Sequence, residues 1–132
     1  MPIYETIKTG TWPDKMTFSP AVRAGDLLLI SGTTSVDENQ NVVGKGDIVA
    51  QTRFIFEKFG RLLEAAGGSF DNIVETTEYF LTLNDYKQTA DVRREFFKGP
   101  PYPAATGGLV AGLIRKDALI EIKATAVLGP AV

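Results

Sequence analysis

The sequence predicts an α+β domain: a mixed sheet of about six strands with two helices on one face, in the order β-β-β-α-β-α-β-β. Three observations carry this. Two stretches repeat apolar residues at three- and four-residue spacing, as helices with one buried side do. Several short runs are rich in β-branched and aromatic residues and are bounded by Gly, Pro or Asn. The chain has 132 residues, 44% of them apolar and 23% charged, enough for one domain (1–132) with a core of its own.

The elements follow in order. "PIYETIKTG" alternates enough for a first strand, and "TWPDKMTFSP" reads as loop. "AVRAGDLLLISG" places two strands around a Gly-Asp turn, with Leu27 to Ile30 as a continuous buried run. "TTSVDENQNVVGKG" is a polar loop. Asp47 is the expected N-cap of a long helix whose apolar face comprises Ile48, Thr52, Ile55, Phe56, Phe59, Leu62, Leu63 and Ala66. Gly67-Gly68 stops it. "NIVETTEYFLTL" is the next strand. Asn84 or Asp85 is expected to cap the second helix, "YKQTADVRREFFKG", with Tyr86, Ala90, Phe96 and Phe97 on its buried side. "GPPYP" ends it. Two strands close the chain, "ATGGLVAGLI" and "ALIEIKATAV", joined by the turn "RKD".

With both helices on one side, the other sheet face has no cover from this chain, and a homo-oligomer is expected. "ALIEIKATAV" makes the two faces explicit. Ala118, Ile120, Ile122, Ala124 and Ala126 share one; Leu119, Glu121, Lys123, Thr125 and Val127 share the other. Glu121 is then a carboxylate on a face with an apolar residue at each end.

Composition excludes several chemistries. The chain has no Cys and no His, which removes disulfides, Cys/His zinc sites, Ser-His-Asp triads and thiol nucleophiles. Carboxylates, hydroxyls, Lys, Arg and backbone dipoles remain. A net charge of −2 with scattered basic residues argues against a nucleic-acid partner. No apolar run reaches membrane-spanning length, and "MPIYETIKTG" is unlike a leader, so a cytoplasmic protein with no membrane partner is expected.

Taken together, "RAGDLLLISG", "AAGGSFDNIVETTEYFLTLNDY", "EFF", "YPA" and "ALIEIKATAV" resemble successive landmarks of the RidA/YjgF family, over roughly residues 17–128. The resemblance implies a chorismate-mutase-like fold and a homotrimer with its sheets packed into a barrel-like centre. It also implies a small-molecule cleft at each subunit boundary. The best-known members hydrolyse reactive enamines and imines, such as 2-aminoacrylate and 2-iminopropionate, to keto acids and ammonia, using no metal or cofactor. The family's catalytic carboxylate lies in "IEI" and matches Glu121. Its anion clamp matches the region of Ala105, Thr106 and Gly107, and its pocket serine matches Ser31.

The chain also departs from that pattern. Ala105 stands where the RidA subfamily has an arginine for the substrate carboxylate, a bidentate partner no alanine replaces. Ala21 stands where a pocket tyrosine is usual, and Ala90 where an asparagine is common. The implied pocket is wider and more apolar, as in family members that deaminate aminomuconate-type intermediates of aromatic degradation. Arg53 and Arg115 are candidates to replace the missing cation, although a solvated helix face and a turn explain them as well. Phe18 and Trp12, in the loop that borders the family's cleft, are candidates to hold a flat substrate, and simple packing explains them too. Three readings compete: a hydrolytic deaminase, a trimer that binds a metabolite without chemistry, and the family's older label of endoribonuclease. The acidic, histidine-free composition disfavours the last.

Overall fold

The computed structural model describes residues 1–129; residues 130–132 of the single domain lie outside them. Six strands form one sheet: β1 (Glu5–Ile7), β2 (Ala21–Ala24), β3 (Leu27–Thr33), β4 (Ile73–Phe80), β5 (Ala104–Leu109) and β6 (Ile120–Val127). Their spatial order is β1-β2-β3-β6-β4-β5, and only the β4–β5 pair is parallel. Helices α1 (Ile48–Ala65) and α2 (Thr89–Phe96) complete the expected element order. The final two strands are not neighbours, because β4 lies between them.

Helix α1 forms where its caps and pattern place it. The Asp47 side chain accepts from the Ala50 amide at 3.0 Å. All eight residues of the expected apolar face are buried. Gly67, at φ +83°, takes the left-handed conformation that ends the helix. Phe56 packs against Phe59, Phe70, Phe96 and Phe97, joining α1 and α2 over the sheet.

The start of α2 differs from expectation. Neither Asn84 nor Asp85 caps it. Asp85 turns the chain at φ +59°, a short helical turn spans Tyr86–Gln88, and α2 proper begins at Thr89 without a side-chain cap. Its buried side includes Thr89 and Val92; Phe97 is buried just beyond it, while Tyr86, Ala90 and Phe96 are half-buried.

The run Leu27–Ile30 is not buried throughout. Leu28 and Ile30 lie beneath the helices, whereas Leu27 and Leu29 are 42% and 43% exposed on the opposite face. The strand alternates because the sheet is covered on one side only. Strand β6 alternates in the same way, with Ile120, Ile122, Ala124 and Ala126 buried and the residues between them on the uncovered face.

On the covered side β4 buries a carboxylate, Glu78, 3% exposed. Arg93 of α2 meets it at 2.7 Å, and the Tyr86 hydroxyl donates to it at 2.6 Å. Burial first, then the Glu78 carboxylate, push the Tyr86 hydroxyl above its ordinary pKa. Arg93→Met leaves this carboxylate desolvated without its ion partner, and urea denaturation should show a loss of about 3–5 kcal/mol.

Lys58 of α1 holds the loop after β3, donating to the Thr33 hydroxyl and to the Thr34 and Val36 carbonyls. Burial, then Arg61 and Arg115, push its pKa down to about 8 from an ordinary 10.5. Between those values the unfolded chain binds more protons, so this residue makes stability rise with pH. Lys58→Met should flatten that part of the rise in urea midpoints measured between pH 8 and pH 10.

Candidate functional site

Glu121 stands on the uncovered sheet face, half-buried, two strands from the nearest edge. Its β4 partner is Tyr79, and Tyr79 pairs in turn with Gly108 of β5. On its other side β3 is irregular: the register with β6 shifts between Ile30 and Thr33. This irregularity brings Gly32 beneath the carboxyl group. A Cβ on Gly32 would stand 2.7 Å from Glu121 Oε2 and 3.4 Å from Cδ. Glycine at this point lets the carboxylate lie against main chain. None of the ion pairs among the described residues engages Glu121.

A second carboxylate on the same face, Glu75, is differently placed. Thr125 Oγ1 donates to it at 2.6 Å and Thr77 Oγ1 at 3.5 Å. These hydroxyls, one from each of β6 and β4, satisfy Glu75 within the sheet. Among the described residues no side chain hydrogen-bonds or ion-pairs with Glu121, which leaves its oxygens available to a ligand.

The other sequence candidates divide. The β4–β5 register pairs Thr106 with Thr77, and Thr77 with Lys123, which puts Thr106 on the face of Glu121. Ala105 pairs with Thr76 and Gly107 with Glu78, both buried beneath the helices. By register those two positions belong to the opposite face from Glu121, although at the sheet edge both are exposed, and a Cβ on Gly107 would stand 3.1 Å from the Tyr86 hydroxyl oxygen. Strand spacing and rise place the Cα atoms of Glu121 and Thr106 roughly 12 Å apart, two strands over and two residues along.

Ser31 donates to the Ser19 carbonyl at 2.6 Å, tying β3 to the N-terminal loop. Its hydroxyl proton is thereby committed, leaving an acceptor. Phe18 is 51% exposed and packs edge-on against Trp12, whose indole N–H donates to the Phe18 carbonyl at 2.9 Å. Of the two arginines offered as replacements, Arg53 makes a double contact with Glu95 of α2 at 2.8 and 3.0 Å. Arg115 donates to Gln40 at 2.8 Å. Neither is directed at Glu121.

Sequence reasoning missed Gly32, Glu75 and Tyr79. Glu75 and Tyr79 were visible in principle, since alternation through "ETTEYF" sets Glu75, Thr77 and Tyr79 apart from Thr76, Glu78 and Phe80. Gly32 had no local signal, because its contact with Glu121 crosses strands. Among the described residues no group of three or more carboxylates gathers to hold a metal ion, and no helix is long and apolar enough to cross a membrane.

The fold and the lone carboxylate define the class: a small α+β domain with one sheet face left open and an acid lying over a glycine on that face. The family model described as Endoribonuclease L-PSP matches residues 12–128. A RutC family protein of Pyrococcus horikoshii is 38% identical over 83% of this chain and 85% of its own. The 3-aminoacrylate deaminase RutC of Acinetobacter baylyi is 34% identical over 96% of this chain and 98% of its own. The crystal structure of RidA from an Antarctic Psychrobacter superposes with a TM-score of 0.82 at 30% identity, covering 93% of this chain and 98% of that one. The chain belongs to the Endoribonuclease L-PSP family, that of RidA, YjgF and RutC.

The contact at Gly32 is directly testable. Gly32→Ala should displace the Glu121 carboxylate, the far end of a flexible side chain, while the melting temperature stays within a few degrees. A crystal structure of the variant with Glu121 still lying over residue 32 would contradict this account.

Proposed function

We propose that this protein is a cofactor-free hydrolytic deaminase of a reactive enamine or imine, working as a homotrimer with Glu121 as its acid–base group. The observation that carries the reading is the environment of Glu121: half-buried on the open face, lying over Gly32 main chain, and outside every ion pair among the described residues. A carboxylate with free oxygens beside exposed backbone is suited to holding a water molecule against an electrophile.

The chemistry needs little else. Protonation of an enamine at carbon, by a proton from solvent, gives the iminium ion. Water, losing a proton to Glu121, adds its oxygen to the C=N carbon and forms a neutral carbinolamine. Glu121 returns that proton to nitrogen; the hydroxyl then gives up its own proton to solvent as the C=O bond forms, the C–N bond breaks and ammonia leaves. The Acinetobacter relative carries the name 3-aminoacrylate deaminase, which is chemistry of this kind. With Ala105 in the position of the family arginine, the standard 2-aminoacrylate and 2-iminopropionate lose their anchor. A larger conjugated enamine, of the aminomuconate type, suits the site better.

The trimer rests on the uncovered face. Leu27 pairs with Val127, and these residues, with Leu29 and Val74, leave large apolar side chains exposed there. Apolar surface gathered on one sheet face favours association. Light scattering should give three times the 14.3 kDa chain mass.

Glu121→Gln should abolish ammonia release from 3-aminoacrylate and aminomuconate-type substrates while leaving the melting temperature and oligomer mass unchanged. Turnover equal to wild type would remove Glu121 from the chemistry. A wild-type protein that binds these compounds without releasing ammonia would instead establish the metabolite-binding reading.

A further inference from the structure

A cavity of about 400 Å³ opens between the turn at Gln40–Val42 and the turn at Arg115–Asp117. We propose that it binds a small dianion, a phosphate monoester or a dicarboxylate, recognised by Arg115, Lys116 and Lys45 together with the Gln40 and Asn41 amides. The size suits a small metabolite. None of the lining residues belongs to a strand, and Glu121 is not among them.

Its charge is the first argument. Lys45, Arg115 and Lys116 face one carboxylate, Asp117, in a chain whose net charge is −2. The lining thus carries two more cations than carboxylates, with the Asp37 carboxylate of the same turn held close by, accepting from the Asn41 amide. Lys45 approaches Asp117 at 3.4 Å, with both side chains well exposed, a weak pair from which an incoming anion can draw the ammonium.

The second argument is that the wall is built. Gln51, fully buried, donates to the Gly44 and Asp117 carbonyls at 3.1 Å each and accepts from the Leu119 amide at 2.8 Å. One side chain thereby clamps both loops from below and fixes the spacing of Lys45 from Arg115. Three non-glycine residues among those described hold positive φ, and two of them, Gln40 (+67°) and Asp117 (+68°), line this cavity. Strained backbone of this kind gathers where geometry serves a ligand.

Third, the donors are pre-set. Arg115 Nη2 donates to Gln40 Oε1 at 2.8 Å, which orients the guanidinium and leaves the Gln40 amide nitrogen with its protons free. A guanidinium held in place with unused N–H groups offers the fork that matches phosphate or carboxylate oxygens.

The test is titration of 15N-labelled protein, at constant ionic strength, with inorganic phosphate, glycerol 3-phosphate, succinate and, as a monoanion control, acetate. The expected result is saturable shifts of the Gln40 and Asn41 side-chain amides and of the amides of residues 115–117. The dissociation constant should be on the order of 1 mM or tighter for one dianion class and much weaker for acetate. Stronger binding of glycerol 3-phosphate or of succinate decides which class the site takes. Arg115→Gln and Lys116→Gln should each weaken binding about tenfold, and Lys98→Gln, outside the cavity, should leave it unchanged. If the turn variants unfold, Lys45→Gln, at an exposed position, gives the same reading. Shifts that rise linearly, that fall equally around Lys98, or that survive these substitutions would overturn the proposal.

Discussion

Strand β6 carries the constraint on which the rest of the molecule depends. It lies between β3 and β4, and its period of two sends Ile120, Ile122, Ala124 and Ala126 beneath the helices. Fully burying an isoleucine side chain stabilises by about 1.5–3 kcal/mol, while an unpaired carboxylate taken to the same place costs several. A slip of one residue would expose the isoleucines and drive Glu121 and Lys123 under α1. The position of Glu121 on the open face is therefore set by core packing on the other side of its own strand. Any site built on this face inherits that rigidity.

The same sheet sorts three glutamates into three environments. Glu78 is buried, so it stands only with Arg93 and Tyr86 around it. Glu75 is half-buried on the open face and accepts from two threonine hydroxyls of adjacent strands. Glu121 lies over a glycine instead of a hydroxyl or a cation. What distinguishes the candidate acid is thus what its neighbours lack. Neutral hydrogen bonds hold Glu75 within the sheet, and an ion pair locks Glu78. Among the described residues nothing is paired with the third.

Local patterns made much of this legible in advance. The apolar face of α1, its Asp47 cap and the alternation of β6 depend on residues within one turn or one strand, and each stands as read. Leu27 to Ile30 was ambiguous for a physical reason: four apolar residues in a row look alike whether both faces are buried or one waits for a partner. The start of α2 escaped because Asp85 turns the chain through its backbone, not its side chain. Strand β5, expected to run through "ATGGLVAGLI", stops at Leu109, and its parallel pairing with β4 is non-local and so left no mark on the local pattern. Motif matching brought Ala105, Thr106 and Gly107 forward together, and only the register shows that Thr106 alone shares the face of Glu121.

That separation bears on how a site could be completed. Within one chain Glu121 and Thr106 are roughly 12 Å apart along the sheet, farther than a short-chain acid can reach between the two. Strand β5 is also the sheet edge, and most of its residues are exposed, Thr106 included. An acid fixed in the sheet interior and a hydroxyl fixed at its rim serve one small ligand only if they come from different copies. One copy would then present Glu121 over Gly32, and its neighbour the rim of β5. Under the proposed function, the open face and the thin, glycine-rich edge strand would be parts of the same design, and assembly would close the cleft around the substrate.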